Sequence, residues 1–599
     1  MQPSDLITID FETEAIVGNP LLNPPSPHTG SGGVSIKDGE QPSVYYTGQE
    51  MLEQMKKAYA SGRPLLFMNA PFDLMVAEKH LGLEMPEWER IHDVQYLVFL
   101  KNPHAASLAL KPSAETYLGL PPEEQDELHD WIVANIPEAK KSNAGAFITQ
   151  APLPLVEKYA RKDTDITYEL FKHLYPDLPV EPYDRERELM PILVRATQHG
   201  VRVNTAALNA TLDQCRAAQE RCENLIIGKL GGSQFNVHSG AELARALDAA
   251  GAVSNWVLTP TGKKSTAKDN LLKSIDDPEL AQLLMYTSAM QTCIGTFIEP
   301  WLEKSAADGR LHPNWNQVRQ PKGSGAKGTR TGRMSSDDPN FQNVPNAFDF
   351  DIHKDLVAMP RMKDFVLPEE GHTWLKRDFS GQEMRILAHF EEGELMKAYI
   401  DNPDLDPHGM VQGMIKDMIG KEFPRKFVKE TGFGMIYGMG APGLAKKIGC
   451  DAATARDLQS SYKVALPGVG KLQGITKNRG KTGRPIRTWG GREYYAEEPK
   501  IIGGRYRSFE YKLTNYLIQG SAADQSKQAL IDWHNGKGDN HIFMTIVHDE
   551  INISAPIDEA PEAMEWLRQS MDKERFDVPF RSDSFRGETW GSIEEYEYE

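Results

Sequence analysis

The sequence predicts a multidomain chain, α/β in its first part and α+β in the remainder. Three observations lead there. The chain has 599 residues, enough for three to five domains at about 150 residues each. Near the front lie two strand-like runs, Leu6–Glu12 and Pro64–Met68, the second running into a helix start at Pro71. Further on, an extended run ending at Asp378 switches to helix, and two β-rich runs around His548 lie almost end to end, as in an antiparallel hairpin.

Hydrophobic residues make up 40% and charged residues 25% of the chain, the balance of a globular protein with ample core. No apolar run approaches the ~18–20 residues of a membrane span. The amino terminus has neither a basic region nor an apolar signal core, so neither membrane insertion nor export is expected. The four cysteines, Cys215, Cys222, Cys293 and Cys450, lack zinc-site spacing and are expected as reduced thiols in a cytosol. Net charge is −18, which averaged over the chain disfavours nucleic acid. Two stretches break the average: residues 310–336 carry Arg310, Arg319, Lys322, Lys327, Arg330 and Arg333, and residues 471–492 carry Lys471, Lys477, Arg479, Lys481, Arg484, Arg487 and Arg492, neither with an acid. Local basic runs set phosphate affinity, so both are expected to line a phosphate track, solvated loops being the alternative. Glu594–Glu599 is expected to be a frayed acidic end.

In the first strand, alternation places Thr8, Asp10 and Glu12 on one face and Ile7, Ile9 and Phe11 on the other. Two carboxylates so spaced can chelate a metal. Pro64–Met68 runs into Asn69-Ala-Pro-Phe-Asp73, where Pro71 suits a helix start and puts Asp73 in the first turn. Tyr159 and Asp163, at i and i+4, share a helix face. Alone, each has an ordinary reading as exposed acid, helix cap or surface pair.

A second segment begins near Pro182. Asn204 suits an N-cap, and Thr205–Leu230 reads as a long helix whose stripe Leu208, Leu212, Cys215, Ala218, Cys222 and Ile226 implies packing. Gly262–Thr266 is a basic loop tip that could reach backbone phosphate or simply be solvated. Thr329–Pro345 gathers hydroxyls, arginines and side-chain amides about a turn at Pro339, the groups that contact phosphate, sugar and base edges.

After Trp374-Leu375, Asp378 ends its strand. Met384, Leu387 and Ala388, with Ile386 and Phe390, mark the following helix. His548-Asp549-Glu550 interrupts Phe543–Val547 and Ile551–Ile553. Tight hairpins prefer Asn-Gly or Asp-Gly, not adjacent carboxylates, and crowded acids raise each other's pKa unless a cation neutralises them. The expectation is that Asp378 and Asp549 share two divalent ions about 3.5–4 Å apart, a geometry suited to in-line phosphoryl transfer. Asp406-Pro407 reads as one helix start and Pro424 as another. Along the second helix, Arg425, Lys429, Phe433 and Tyr437 recur every four residues as one winding stripe. Cations followed by aromatics suit a nucleoside triphosphate.

The set Asp10, Glu12, Asn69-x-x-Phe-Asp73 and Tyr159-x-x-x-Asp163 resembles the DEDD-type 3′–5′ proofreading exonucleases. Four later blocks resemble the motifs of family A DNA polymerases, the group of bacterial DNA polymerase I and many phage replicases: Thr329–Pro345, Asp378–Arg385, Arg425–Gly438 and Val547–Glu550. A fifth, Asn515–Asp524, lies where that family has its minor-groove helix. The resemblance implies an RNase H-like exonuclease domain over residues 1–180. It also implies a right-hand polymerase over 181–599, with the thumb at about 195–330, an antiparallel palm sheet within about 331–395 and 505–599, and the fingers at about 396–504.

By the same resemblance, Asp378 and Asp549 hold two Mg2+ or Mn2+ ions with the backbone carbonyl of Phe379, and Glu550 is auxiliary. Glu383 excludes a ribose 2′-hydroxyl. Arg425, Lys429 and His408 grip the triphosphate, and Lys429 can protonate the leaving pyrophosphate. Phe433 stacks on the incoming base and disfavours dideoxynucleotides, and Tyr437 lies at the template side. Arg333, Asn340, Gln342, Asn343, Asn515, Gln519 and His548 contact primer–template DNA. In the exonuclease, Asp10, Glu12, Asp73 and Asp163 bind two ions and Tyr159 orients the attacking water.

Two positions depart from the family pattern. Gly381 stands where Gln is usual. Gly432 stands where Asn is usual, and it is expected to loosen its helix by roughly 0.5–1 kcal/mol relative to Ala. The implied partners are primer–template DNA and dNTPs, with replisome proteins such as a helicase compatible; a monomer is expected. No 5′-nuclease domain is expected, nor, in the thumb, the insertion with which one phage branch recruits a processivity factor. These features point to a phage replicase acting in the bacterial host cytoplasm. Three other readings stay open: a single-subunit RNA polymerase, against which Glu383 and the exonuclease acids argue; an exonuclease whose polymerase-like half only binds DNA; and a non-catalytic DNA-binding scaffold.

Overall fold

The computed structural model describes residues 2–121, 127–259, 261–322, 325–347 and 353–598, with backbone alone for 268–269, 320–322 and 325–326. Ile7–Glu12 is the central strand of a five-stranded mixed sheet. Gly33–Asp38 pairs with it antiparallel and is followed by Val44–Tyr46; Leu65–Phe67 and then Ile91–Asp93 add parallel on the other side. A central strand is covered on both faces. Ile7, Ile9 and Phe11 enter the core, while Thr8 and Glu12 are also buried. The helix Leu153–Leu174 packs across this strand. The Asp93 carboxylate accepts hydrogen bonds from the backbone nitrogens of Asn69 (3.1 Å) and Ala70 (2.8 Å). Asn69 is left-handed at φ 76°, and this corner turns the strand Leu65–Phe67 into the helix Ala70–Leu81, with Asp73 in its first turn.

The helix Val180–His199 belongs to two cores. Tyr183, Met190 and Val194 join the amino-terminal core; Leu189, Ile192 and Leu193 join the carboxyl-terminal one. The boundary expected after residue 180 is therefore the start of a shared helix. A buried ion cluster reinforces the seam. Glu186 accepts from Arg492, from Lys527 at 2.7 Å and from Gln317 at 2.7 Å, and Asp524 accepts from Arg492 and from the Thr488 hydroxyl at 2.6 Å. Arg492, expected on a phosphate track, is thus a buried structural ion. Other members of the basic runs are also spent internally: Arg310 on Glu369 (2.8 and 2.6 Å), Lys327 on Asp337 (2.8 Å) and Arg330 on Glu497 (3.4 Å). Lys471, Lys477, Arg479, Lys481, Arg484 and Arg487 are exposed. The side chain of Lys322 lies outside the described set.

Asn204 caps Thr205–Lys229 through the Ala207 nitrogen at 3.0 Å, and the expected stripe from Leu208 to Ile226 is buried, partly against Pro278–Thr292. The expected loop tip at 262–266 is instead tied down: Lys264 pairs with Asp248 and lies 5.2 Å over the Trp256 ring.

The second large sheet is antiparallel throughout, in the order Ile542–Val547, Glu550–Pro556, His372–Phe379, Ser582–Gly587, Glu594–Glu595. The carboxyl end is therefore not frayed. Glu594 and Glu595 pair with the neighbouring strand, Tyr596 and Tyr598 pack on the core, and the Tyr598 hydroxyl accepts from Arg377 at 2.9 Å. Alternation of Glu with Tyr gives this acidic run an apolar side, which a count of charge misses. Glu599 lies outside the described residues. Among the described residues no helix is long and apolar enough to cross a membrane, and all four cysteines are free.

Candidate active sites

Asp378 lies near the end of the strand His372–Phe379, opposite Glu550 on one side and Asp583 on the other. Val547 pairs with Glu550, which leaves His548 and Asp549 as the hairpin loop. His548 takes φ 58°, the positive φ such tight loops require. The Phe379 nitrogen donates to the Asp549 carbonyl at 3.1 Å, fastening the loop to the strand end. The two aspartates predicted to act together are thus brought together. Burial, then the charge of Asp549, push Asp378 up to about 6, against the pull of Lys376. Asp549 is also raised, by burial first. Sequence reasoning passed over Lys376, whose Nζ lies 2.9 Å from Glu550 Oε2 and 3.4 Å from Asp378 Oδ2. The strand period of two was the signal: residues 376 and 378 share a face.

Glu383, in the first turn of Gln382–Glu391, accepts from Arg333 and from the Tyr437 hydroxyl (2.8 Å), and Gln519 bonds Tyr437 in turn. The residue expected as the 2′-hydroxyl gate, one expected at the template side and two expected on DNA form one chain. Burial, then Glu383, push the Tyr437 phenol up to about 12. Gly381 caps this helix at φ 67°, a left-handed conformation that glycine adopts without strain. At Gly432 a Cβ would lie 2.8 Å from the Tyr462 hydroxyl. That glycine makes room for a buried tyrosine, so packing enters beside the helix-loosening cost expected from sequence.

Arg425, Lys429, Phe433 and Tyr437 line one side of the helix Arg425–Ile436, with Arg425 and Lys429 exposed and the rings half-buried. The Phe433 ring lies 5.7 Å from His408 and 6.4 Å from Tyr437, nearly parallel to the latter. Arg425 forms two 2.7 Å bonds to Asp406, which also accepts from the His408 nitrogen at 3.2 Å to cap Pro407–Ile419. His408 is buried, its Nδ1 has no partner, and burial lowers its pKa to about 4.

The expected DNA-contact residues divide. Gln342 spends its amide on the Ser336 nitrogen (2.8 Å) and the carbonyls of Met334 (3.2 Å) and Ile546 (3.3 Å), while Asn340 caps the Gln342 nitrogen at 3.0 Å. Asn343 and His548 are exposed, and the half-buried Asn515 has an unpartnered Oδ1.

A second acidic cluster lies where Ile7–Glu12, Ala70–Leu81 and Leu153–Leu174 converge. The Phe11 nitrogen donates to Asp73 Oδ1 at 3.0 Å. Burial first, then mutual repulsion, push Asp10, Glu12 and Asp73 well above the usual carboxylate range. Asp163 rises to about 6 through burial, offset by Lys111 and a hydrogen bond with Tyr159. Lys111 Nζ lies 4.4 Å over the Tyr159 ring. All five residues expected to act together therefore share one electrostatic environment.

Residues 205–592 match the family model described as DNA polymerase family A. The chain belongs to this family. Relatives include the DNA polymerase DpoZ of Vibrio phage phiVC8, 26% identical over 609 residues (91% of this chain, 90% of the relative), and that of Salmonella phage PMBT28, 25% identical over 568 residues (86% of each). The thermostable DNA polymerase I of Thermus filiformis is 28% identical over 439 residues, 70% of this chain and 50% of its own. In fold, the chain is similar to the POL domain of Pol1 from M. smegmatis, solved in complex with DNA primer-template and dNTP, with a TM-score of 0.73, 20% identity, and coverage of 98% of this chain and 95% of that one. Within this family A chain, the matched segment contains Asp378, Asp549 and the 425–436 helix; the amino-terminal acids precede it.

The donor sets of both clusters fit hard divalent cations: carboxylates, a nearby carbonyl at Phe379, and acids whose repulsion a cation would relieve. Among the described residues no three His, Cys, Asp or Glu side chains meet around one point.

Proposed function

We propose that this family A chain extends a primer 3′-end from dNTPs on a DNA template and proofreads at a separate 3′–5′ exonuclease site, as a phage replicative polymerase. The observation that carries the reading is the meeting of Asp378 and Asp549, joined through the Phe379–Asp549 backbone bond, beside a helix that carries cations and aromatic rings. Residues 1–180 form the exonuclease. The thumb lies at about 195–330, the palm within about 331–395 and 505–599, and the fingers at about 396–504, as the sequence implied.

In the palm, Asp378, Asp549 and the Phe379 carbonyl would hold two Mg2+ or Mn2+ ions. When bound, these supply a lowered pKa for the primer 3′-hydroxyl and charge neutralisation on the phosphates. The remaining work falls to the chain. Glu383, held by Arg333 and Tyr437, walls off the position of a 2′-hydroxyl. Phe433 offers a face to the incoming base. Lys429 reaches the triphosphate and can give a proton to pyrophosphate. Burial lowers the His408 pKa to about 4 in the free chain, and the ring would have to turn to offer its unpartnered, buried Nδ1 to a phosphate oxygen. Arg425 must loosen from Asp406 to grip phosphate, which couples nucleotide arrival to movement of the 425–436 helix. In the exonuclease, Asp10, Glu12, Asp73 and Asp163 would hold two further ions and Tyr159 would orient water.

Primer extension on a defined template tests both halves. With dNTPs the primer should lengthen; without them it should shorten from its 3′-end. Preference for ribonucleotides would favour an RNA polymerase. Trimming without extension would favour a nuclease with a binding half, and neither activity would favour a scaffold.

A further inference from the structure

The palm carboxylates carry a cation of their own. On the strand His372–Phe379, Trp374, Lys376 and Asp378 face the same way, and their neighbours on the next strand are Ser554, Asn552 and Glu550. Both oxygens of Glu550 are taken. Oε2 accepts from Lys376 at 2.9 Å and Oε1 from the Asn552 amide at 3.2 Å. The Trp374 indole donates to Asn552 Oδ1 at 2.9 Å, which fixes the amide's orientation. The Lys376 Nζ lies over the Phe585 ring, 4.4 Å from its centroid, and its side chain is 12% exposed. The ammonium is therefore held in place from three sides.

We infer that Lys376 is a positioning residue that holds Glu550 out of the ion site and keeps divalent affinity low until primer and dNTP supply the missing oxygens. This rests on the two-ion reading of Asp378 and Asp549. A unit positive charge a few ångströms from a divalent cation opposes its binding. A Glu550 freed from Lys376 would add a third carboxylate. Removing the ammonium should thus tighten ion binding in the absence of DNA, although the residue touches neither substrate nor the reacting atoms.

The test is Mn2+ binding to the full chain, read from the electron paramagnetic resonance of free Mn2+. It is run without DNA, in an Asp10→Ala/Asp163→Ala background so that the palm ions are the ones counted. Lys376→Met should lower the palm Kd by about tenfold or more. Lys376→Arg should stay within about threefold of the parent, and Lys376→Met/Glu550→Gln should lose most of the gain. Lys376→Gln serves where the Met variant does not melt cooperatively. Asp549→Asn should weaken binding. If it does not, the two-ion reading fails and the inference with it. If Asp549→Asn weakens binding while Lys376→Met and Lys376→Gln bind no tighter than the parent, the role given to Lys376 is wrong.

Discussion

The two acidic clusters handle repulsion differently. In the palm, one cation is built in. Lys376 touches both Asp378 and Glu550, and Asp378 keeps a side chain 34% exposed. In the amino-terminal cluster burial dominates: Lys111 offsets Glu12 and Asp163 in part and Lys162 offsets Asp163, while Asp10, Glu12 and Asp73 are buried against one another. The palm is thus partly neutralised before any ion arrives, whereas in the amino-terminal site burial and mutual repulsion raise the acids together. A site that must assemble around DNA and nucleotide has reason to keep ion affinity modest.

The comparison breaks most visibly at the ligands. Asp549→Asn or Asp378→Asn should reduce primer extension roughly 1,000-fold or more while sparing trimming, and Asp10→Ala should do the reverse; gel analysis with and without dNTPs measures both. If one substitution removed both activities, the two clusters would not be separate sites. Next comes the seam between them. Arg492→Ala removes the partner that Glu186 and Asp524 share but leaves Lys527 on Glu186 and Arg185 3.5 Å from Asp524, so the loss should stay below about 3–5 kcal/mol, the cost of a fully uncompensated buried charge. Denaturant unfolding should show that loss in both regions at once, because they share the Val180–His199 helix.

Glu383→Ala should cut discrimination against ribonucleotides roughly 100-fold with a smaller effect on dNTP use, measured as a ratio of kcat/KM values. The smallest effect is on stability. The folded Asp163 carboxyl titrates at about 6 rather than 3.8, so the folded state binds more protons than the unfolded state between those values. Its contribution is therefore full below about pH 4 and lost as pH rises through 6. Metal-free protein should be more stable at pH 5 than at pH 7, by about 1 kcal/mol from this group, and Asp163→Asn should flatten the difference.

Much of this was legible in the sequence because it rests on local periodicity. The strand ending at Asp378, the hairpin about His548-Asp549, the stripe from Arg425 to Tyr437 and the cap at Asn204 all follow from spacing within a few residues. What was missed depends on contacts across the chain. Arg492 looked like one cation in a basic run because its partners, Glu186 and Asp524, are distant in sequence. Glu594–Tyr598 looked frayed because the strand it pairs with could not be seen. Lys376 lay inside the most informative stretch of all, yet its significance depends on Glu550 reaching it from the neighbouring strand.

The account turns on Asp378 and Asp549 sharing their ions. Anomalous scattering from crystals of the chain with primer–template, a non-hydrolysable dNTP analogue and Mn2+ should show two peaks about 3.5–4 Å apart, with both aspartates as ligands. Peaks that touch one aspartate and not the other, or that lie elsewhere in the cleft, would contradict it.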